Sequence, residues 1–323
     1  MIERPLHQGA ELLFAGEIFC DVVFSGVDVP AVGAEVYADA FTITAGGVAN
    51  RAVAAARAGA STLLLSRLGD DPLGEHIHGM LDDEPGLDTR LLERIAGHQS
   101  PVTVSLTTPE DRSFITYQVE LGHQDVPDDL GPIGATHVGV AHELPAWVGR
   151  MRAAGTTVVG GVGWDASGDW SGDVLRRLSE VDVFVPNDAE AMQYTRTDDA
   201  VAAAKALARH VPLAVVTRGP RGVVAIDSAA GEIVEVEAVP VAAVDPTGAG
   251  DVFVATFMAA LGHDWDLRTR LRFASLSATI SVTGLGGAAS APRPQDLIDF
   301  VDRRNPAGDW SFLDRMRVPT GSH

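Results

Sequence analysis

The sequence predicts an α/β protein with a doubly wound, mostly parallel sheet and a small second β-sheet acting as a lid. From residue 136 onward, short apolar runs alternate with helical segments, which is typical of a parallel sheet. Apolar residues make up 46% of the 323-residue chain and aromatic residues only 6%, as in a core of Ala, Val and Leu. Residues 20–44 and 98–121 instead alternate apolar with polar positions, which indicates strands with one face in water.

The first part of the chain begins with a strand and a helix. Residues 11–19 (ELLFAGEIF) are short, apolar and closed by Gly16, which predicts a first buried strand. A glycine turn then leads into an alanine-rich helix over about residues 49–58, which Gly59 ends. Residues 61–69 (STLLLSRLG) predict another buried strand, and residues 71–84 another helix.

The two alternating segments do not fit the buried sheet. In residues 98–121, a turn at residues 108–111 (TPED) predicts a hairpin. We expect the segments 20–44 and 98–121 to pair as a lid inserted into one domain over residues 1–310, with residues 311–323 as a C-terminal tail. The lid is expected to cover the carboxyl edge of the main sheet and to close on substrate, excluding water.

The later strands follow one another with helices after most of them. They are predicted at residues 136–141, 156–163, 181–186, 213–219 and 222–227. This repetition favours βα units and a parallel arrangement.

Composition excludes several classes of function. The formal net charge of −20 opposes binding to nucleic acid or to an anionic membrane. Lys205 is the only lysine, and no GxxxxGK[ST] motif is present, which excludes a Walker-type phosphate loop. Cys20 is the only cysteine, which excludes an intrachain disulfide and a cysteine-rich metal site. With no signal-peptide pattern and no long apolar run, a cytoplasmic protein is expected.

The stretch AVDPTGAGDVFVATFMAAL, residues 243–261, combines a glycine turn with the start of a helix. The free N–H groups of Gly248, Ala249 and Gly250 would form an anion site there without any lysine. A carboxylate at Asp251 makes sense beside a phosphoryl group if it takes the proton of an attacking hydroxyl. Alternatively, Asp251 is a first-turn acid that only stabilises the helix.

The DPTGAGD string and the helix after it resemble the C-terminal signature of the PfkB/ribokinase family of carbohydrate kinases. AGGVANRAVAAARAGA (residues 45–60) resembles the N-terminal signature, and VPNDAEA (residues 185–191) the NxxE motif. VVTRGPRG (residues 215–222) and FASLSATISVTGLGGAASAP (residues 273–292) extend the likeness over about residues 11–300. The resemblance implies a ribokinase-like fold, with the glycine turn as an anion hole and Asp251 as the general base of an ATP-dependent kinase.

The resemblance also implies a substrate site. Asp21 would hold substrate hydroxyls, which would discriminate strongly against analogues that lack them. Gly46, Gly47 and Asn50 match the GG-x-x-N substrate turn, whose bare backbone admits the sugar. Because the turn has no lysine to receive a phosphorylated sugar, an uncharged substrate is favoured. By themselves, Asp21 could be a solvated strand-end acid and Asn50 an ordinary helix-start residue.

The nucleotide and metal sites are likewise implied by the family. The residues expected to line the nucleotide are Asn187, Thr217, Gly219, Gly222, Ser275 and Thr279. Glu190, three residues after Asn187, would orient Mg²⁺ through water. Asp245 and Thr247 would bind a monovalent cation, K⁺, behind the anion hole. Spacing alone makes Asn187 a helix start and Glu190 a capping acid.

Four further polar residues end strands on the ligand-binding side of a doubly wound sheet. His142 and Glu143 match a position where relatives contact sugar. Trp164 and Asp165 depart from the family's commoner pattern, and their roles are open.

The sequence therefore predicts ATP-dependent phosphorylation of a hydroxymethyl group on a neutral sugar or related polyol. Two alternatives stay open: a nucleoside kinase of the same family, and a catalytically silent sugar-binding regulator. A nicotinamide dehydrogenase lacks the expected GxGxxG after the first strand. A homodimer is possible, because strands with one wet face have edges to protect.

Overall fold

The computed structural model describes residues 11–107, 112–118, 121, 124–165, 167–284 and 286–317. The strands in these ranges are β1 (Leu12–Ala15), β2 (Ile18–Ser25), β3 (Ala40–Gly47), β4 (Thr62–Gly69), β5 (Leu87–Ile95), β6 (Val102–Thr107), β7 (Arg112–Tyr117), β8 (Ala135–Gly139), β9 (Thr157–Gly161), β10 (Val183–Phe184), β11 (Leu213–Thr217), β12 (Val223–Asp227) and β13 (Glu232–Val236). The helices are α1 (Val48–Arg57), α2 (Pro72–Asp82), α3 (Ala146–Ala153), α4 (Asp173–Arg177), α5 (Asp188–Thr195), α6 (Ala200–Leu207), α7 (Ala249–Ala260), α8 (Leu267–Ser281) and α9 (Pro294–Arg304).

Nine strands form the main sheet, in the order β13-β12-β11-β10-β9-β8-β1-β4-β5. All neighbouring pairs are parallel except those of β12, which is antiparallel to both β11 and β13. The mostly parallel sheet predicted from the alternating pattern is confirmed.

Helices cover both faces of this sheet. On β1, Leu12 and Phe14 pack into one core with α1 and α7, whereas Leu13 packs into the opposite core with α3 and α6. Successive side chains of a strand point to opposite faces. A strand that is buried on both faces reads as a continuous apolar run, which is why the alternation of the lid segments stands out.

The predicted small second sheet is confirmed. It contains four strands in the order β3-β2-β6-β7, with β2 antiparallel to β3 and parallel to β6. β6 and β7 pair antiparallel from Val102↔Tyr117 to Thr107↔Arg112, as expected for a hairpin. The predicted turn, residues 108–111, lies outside the described residues.

The predicted first strand over residues 11–19 is wrong in extent. β1 ends at Ala15, and β2 begins at Ile18 in the second sheet. The chain changes sheets around Gly16, whose N–H donates to the carbonyl of Leu65 at 3.2 Å. Strands β5 and β13, at the two edges of the main sheet, were not predicted. Charged residues interrupt their apolar pattern, because an edge strand is less buried than a central one.

The end of the chain packs onto the main body. Residues Ser311–Met316, part of the predicted tail, form a 3-10 helix in which Phe312 and Leu313 are buried. The ring of Phe312 lies 5.2 Å from that of Trp265. How the chain divides into domains stays a prediction.

Candidate active site

The glycine turn of residues 248–250 begins helix α7. Gly248 is the residue before the helix and has a φ of 71°, a left-handed conformation that favours glycine. A Cβ on Gly250 would meet no described atom within 4 Å, so the backbone of the first turn faces open space. Free N–H groups in a first helical turn and the positive end of the helix dipole attract anions. Of the three groups predicted to be free, the Ala249 N–H already donates to the Pro246 carbonyl at 3.3 Å. Asp251 lies in the same turn.

Two glycines shape the start of helix α1. A Cβ on Gly46 would lie 2.1 Å from Oδ2 of Asp21, so only glycine leaves room for that carboxylate. Gly47 has a φ of 63°, and a Cβ there would lie 2.4 Å from the carbonyl oxygen of Glu17. The pairing of β2 with β3, which sets Asp21 opposite Thr44, fixes the arrangement.

Helix α1 brings a cation to Asp251. Nη1 of Arg51 donates to Oδ1 of Asp251 in an ion pair whose two side chains are 24% and 26% exposed. Asn50, the preceding residue, is buried. Its Oδ1 and the Nε of Arg51 have no hydrogen-bond partner among the described residues.

The pKa of Asp21 is strongly affected by its surroundings. Burial, and secondarily the negative charge of Asp251, raises the pKa of Asp21 from 3.8 to about 7. At neutral pH the Asp21 carboxyl is thus poised between a hydrogen-bond acceptor and a donor. Such a group can bind hydroxyls in either form.

A buried histidine lies on the same side of the sheet. His137 of β8 is buried, and burial together with the charge of Arg51 lowers its pKa well below the usual range. A Cβ on Gly161 of β9 would lie 2.6 Å from Nε2 of His137, so the bare strand makes room for the ring. His137 is therefore neutral.

Asn187 and Glu190 close the start of helix α5 as a capping box. The Asn187 N–H donates to Oε2 of Glu190 at 2.9 Å, and the Glu190 N–H donates to Oδ1 of Asn187 at 2.9 Å. Burial raises the pKa of Glu190, although the hydrogen bonds from Asn187 oppose this. Asn187 also forms a parallel bridge with Thr217.

The other residues predicted to line a nucleotide lie after β11 and on α8. The Gly222 N–H donates to the Gly219 carbonyl at 3.0 Å, which closes a tight turn. A Cβ on Gly222 would lie 2.0 Å from the Val236 carbonyl oxygen, so close packing against β13 already requires glycine there. Ser275 and Thr279 are buried on α8.

Asp245 is a buried carboxylate that joins two loops. It accepts hydrogen bonds from the Thr247 N–H at 2.9 Å and from the Gly286 N–H at 3.1 Å. The Thr247 hydroxyl also donates to it. Asp245 is 2% exposed, and no ion pair with it is recorded in the described parts of the chain.

Within the described residues, no hydrogen bond, ion pair or ring contact joins the four strand-end residues of the sequence analysis to Asp21, Arg51 or Asp251. His142 and Glu143 are exposed in the loop after β8. Asp165 caps its own loop, accepting from the N–H groups of Ser167 at 3.0 Å and Trp170 at 2.8 Å. Trp164 is exposed and stacks edge-on against Trp170, with ring centroids 5.0 Å apart.

Comparison with protein families matches residues 12–294 to the pfkB family carbohydrate kinases. The chain belongs to this family. The expectation of an ATP-dependent carbohydrate kinase is thereby confirmed at the level of the family.

Curated relatives of this kinase include sugar and nucleoside kinases. A ribokinase of Bacillus subtilis is 28% identical over 309 residues, covering 88% of this chain and 97% of the relative. A fructokinase of Klebsiella pneumoniae is 30% identical over 282 residues, covering 78% and 90%. A cytidine kinase of Thermococcus kodakarensis is 27% identical over 227 residues, covering 68% and 80%.

Solved structures share the fold. The ribokinase of Arabidopsis thaliana in complex with ribose and ATP has a TM-score of 0.76 and 22% identity, covering 91% of this chain and 99% of that one. An E. coli protein assigned as a ribokinase II, in complex with ATP and Mg²⁺, has a TM-score of 0.79 and 20% identity, covering 91% and 100%. The ribokinase-like fold expected from the motifs is confirmed.

The residues around Glu190 fit one kind of metal site. No cluster of three or more Asp, Glu, His or Cys side chains that could hold a metal occurs within the described ranges. Mg²⁺ in ATP-dependent enzymes is usually held by phosphates, waters and one or two carboxylates. Glu190, whose recorded hydrogen bond engages only Oε2, fits that arrangement.

Sequence reasoning missed Arg51 and His137. Arg51 lies next to Asn50 in the matched motif, and the local pattern predicts a solvent-exposed arginine at the start of an alanine-rich helix. His137 lies in an apolar strand, where the pattern predicts a histidine packed in the core without a functional role. A basic residue inside the substrate motif of a chain with one lysine was the available signal for Arg51.

Proposed function

We propose that this kinase transfers the γ-phosphoryl group of ATP to a hydroxymethyl group of a neutral sugar or related polyol. The contact between Arg51 and Asp251 supports it, because it joins the substrate turn of α1 to the first turn of α7. The groups needed to hold an alcohol and an anion thus converge on one position. This convergence is what phosphoryl transfer requires, since the reaction depends mainly on positioning and charge.

In the proposed reaction, Asp21 and Asn50 bind hydroxyls of the substrate. The unpartnered Oδ1 of Asn50 supports its part, because a buried acceptor calls for a donor. Asp251 takes the proton of the reacting hydroxyl. The positive start of α7, with the N–H groups of Gly248 and Gly250, holds the charge of the phosphoryl group, and the Ala249 N–H joins them if it leaves the Pro246 carbonyl.

The nucleotide would lie along α5, the turn after β11, and α8. Its proposed contacts are Asn187, Thr217, Gly219, Gly222, Ser275 and Thr279. Mg²⁺, oriented through water by Glu190, would neutralise phosphate charge. Glu190→Gln is therefore expected to raise the Mg²⁺ concentration needed for half-maximal rate. An unchanged Mg²⁺ requirement would contradict this role.

Asp245 and Thr247 are proposed to bind K⁺. The complete burial of an Asp245 carboxylate with no recorded cationic partner supports this, because a buried charge is costly unless it is compensated. A monovalent cation there would compensate the charge from behind the anion hole.

The substrate is proposed to be uncharged although Arg51 lies next to Asn50 in the substrate turn. Because this arginine is a cation, the absence of lysine from the turn does not by itself exclude a phosphorylated sugar. The ion pair with Asp251 already takes up the charge of Arg51. A sugar phosphate would also meet the carboxyl groups of Asp21 and Asp251.

The decisive experiment measures ATP consumption by the purified protein with a panel of neutral sugars, polyols, sugar phosphates and nucleosides. Turnover of a neutral sugar or polyol is expected to exceed that of the other classes by at least about tenfold. A clear preference for nucleosides would favour the alternative that the cytidine kinase relative represents. Tight sugar binding without turnover would favour a silent regulator.

The lid is proposed to close on substrate and to pair two subunits. Large exposed side chains in the two lid segments support the pairing, namely Tyr37, Phe41, Ile115 and Tyr117. No helix in the described parts of the chain is long and apolar enough to cross a membrane. A cytoplasmic location stays a prediction.

A further inference from the structure

Arg51 contacts the group that the proposed function uses as its base. Its Nη1 donates to Oδ1 of Asp251, and both side chains are about three-quarters buried. While Arg51 donates to it, Oδ1 of Asp251 is not free to accept the proton of a substrate hydroxyl. A purely structural ion pair at this place would therefore oppose catalysis, unless the arginine also acts in the reaction.

The guanidinium of Arg51 has more N–H donors than its contact with Asp251 uses. A guanidinium carries five N–H donors in a planar fork. The Nε of Arg51 is buried and has no partner among the described residues, and the same holds for the neighbouring Oδ1 of Asn50. Asn50 itself is 7% exposed. Two buried polar atoms without partners, on consecutive residues of α1, indicate that a ligand supplies their missing hydrogen-bond partners.

Two other arginines near the expected nucleotide pair with carboxylates away from the start of α7, although the Nε of Arg218 is also without a partner in the described residues. Arg218 pairs with Glu235 at 2.9 Å, and Arg221 pairs with Asp188. The only lysine, Lys205, is exposed on α6, which packs on the opposite face of the sheet. His137 is neutral, so it adds no second positive charge beside Arg51.

We infer that Arg51 is a catalytic residue whose guanidinium moves from Asp251 to the transferred phosphoryl group during the reaction. This rests on the proposed function. Asp251 loses its negative charge when it takes the proton, and the phosphoryl oxygens near the α7 N-terminus then offer the guanidinium another anion. The guanidinium fork fits phosphate oxygens as well as carboxylate oxygens.

The O–H bond of the substrate breaks, and its proton goes to Asp251. The substrate oxygen forms a bond to the γ-phosphorus of ATP, while the bond from that phosphorus to the bridging oxygen breaks and its electron pair leaves with ADP. Asp251 later releases the proton to water. Arg51 stays protonated throughout.

The test compares Arg51→Gln with the wild-type enzyme on the best substrate of the panel. Because the new contact forms only as phosphoryl charge develops, kcat should fall about 10²-fold or more while KM for sugar and ATP changes less than about threefold. Arg51→Lys keeps the charge without the fork and should lose about tenfold. It also serves if Arg51→Gln does not fold.

Arg152→Gln provides the matched control. Arg152 forms a half-buried ion pair with Asp182 at 2.9 Å on α3, on the other face of the sheet. This variant should lose some thermal stability and keep its kcat. The comparison separates the loss of an ion pair from the loss of a catalytic group.

Three outcomes would overturn the inference. Near wild-type kcat in folded Arg51→Gln or Arg51→Lys, with a lower Tm only, would make the ion pair structural. A loss confined to KM would make Arg51 a binding residue. A loss that appears with a sugar phosphate as substrate but not with a neutral sugar would make it a receptor for substrate charge. An inactive wild type would instead contradict the proposed function itself.

Discussion

The carboxylate of Asp21 lies over the backbone of Gly46, where a Cβ would be 2.1 Å from Oδ2. Both residues belong to the second sheet, in strands that pair antiparallel. The glycine is therefore required by an acid 25 positions earlier in the chain, and a turn conformation alone does not explain it.

Gly46→Ala should displace the Asp21 carboxylate and weaken substrate binding. We expect KM for the sugar to rise at least about tenfold, because a methyl group at 2.1 Å cannot coexist with the present carboxylate position. Steady-state kinetics would measure it. Gly79→Ala is the control, since a Cβ there meets nothing within 4 Å and should stabilise α2 by about 0.5–1 kcal/mol. Equal KM values in both variants would contradict the assignment of Asp21.

Asp21→Asn should raise the free energy of unfolding at neutral and higher pH. The pKa of Asp21 is raised from 3.8 to about 7, so the native state binds more protons than the unfolded state and loses stability as pH rises between these values. Above pH 7 the variant should be more stable than wild type by about 1–3 kcal/mol after allowance for solvent screening. The gain should vanish below about pH 4. Thermal unfolding across pH 4–8 tests this, and a pH-independent difference would contradict it.

Asp251→Asn should remove the proton acceptor while keeping the size of the side chain. A loss of about 10²–10⁴ in kcat is expected with little change in substrate and nucleotide binding. Residual activity should remain, because positioning and charge carry much of phosphoryl transfer. If Asp251 only stabilises the helix start, the variant would instead lose about 0.3–1 kcal/mol of stability and keep its kcat. Measuring both quantities separates the two roles.

Asp245→Ala should abolish activation by K⁺. The wild-type enzyme is expected to work faster in K⁺ than in Na⁺, because the buried carboxylate would bind the larger, more easily dehydrated ion. The variant also loses the hydrogen bonds that join Asp245 to Thr247 and Gly286, so its Tm must be recorded. Full K⁺ stimulation in folded Asp245→Ala would show that the cation binds elsewhere.

Ile115→Glu should prevent pairing of two subunits through the lid. Ile115 is 66% exposed on β7, and a carboxylate there would be desolvated in an apolar interface. Light scattering should give a dimer for the wild type and a monomer for the variant. A monomeric wild type would end the dimer hypothesis.

Most of the architecture could be predicted from the sequence because its signals are local. The apolar runs of β4 and β8, the alternation of the second sheet and the glycine at position 248 each depend on a few neighbouring residues. The edges were harder to predict. β5 and β13 carry charged residues, and the pattern of an edge strand resembles that of a loop.

The amino-acid pattern was enough to predict the family, the order of the central strands and most helices, and the position of Asp251 in the first turn of α7. The side chains that meet there became known only from the packing of distant segments. Arg51 and Asp251 are 200 residues apart, and the packing of α1 against α7 brings them into contact. Likewise, the neutral state of His137 and the raised pKa of Asp21 come from burial and neighbouring charges. Local sequence carries no information on such distances, because they arise only when separate segments pack together.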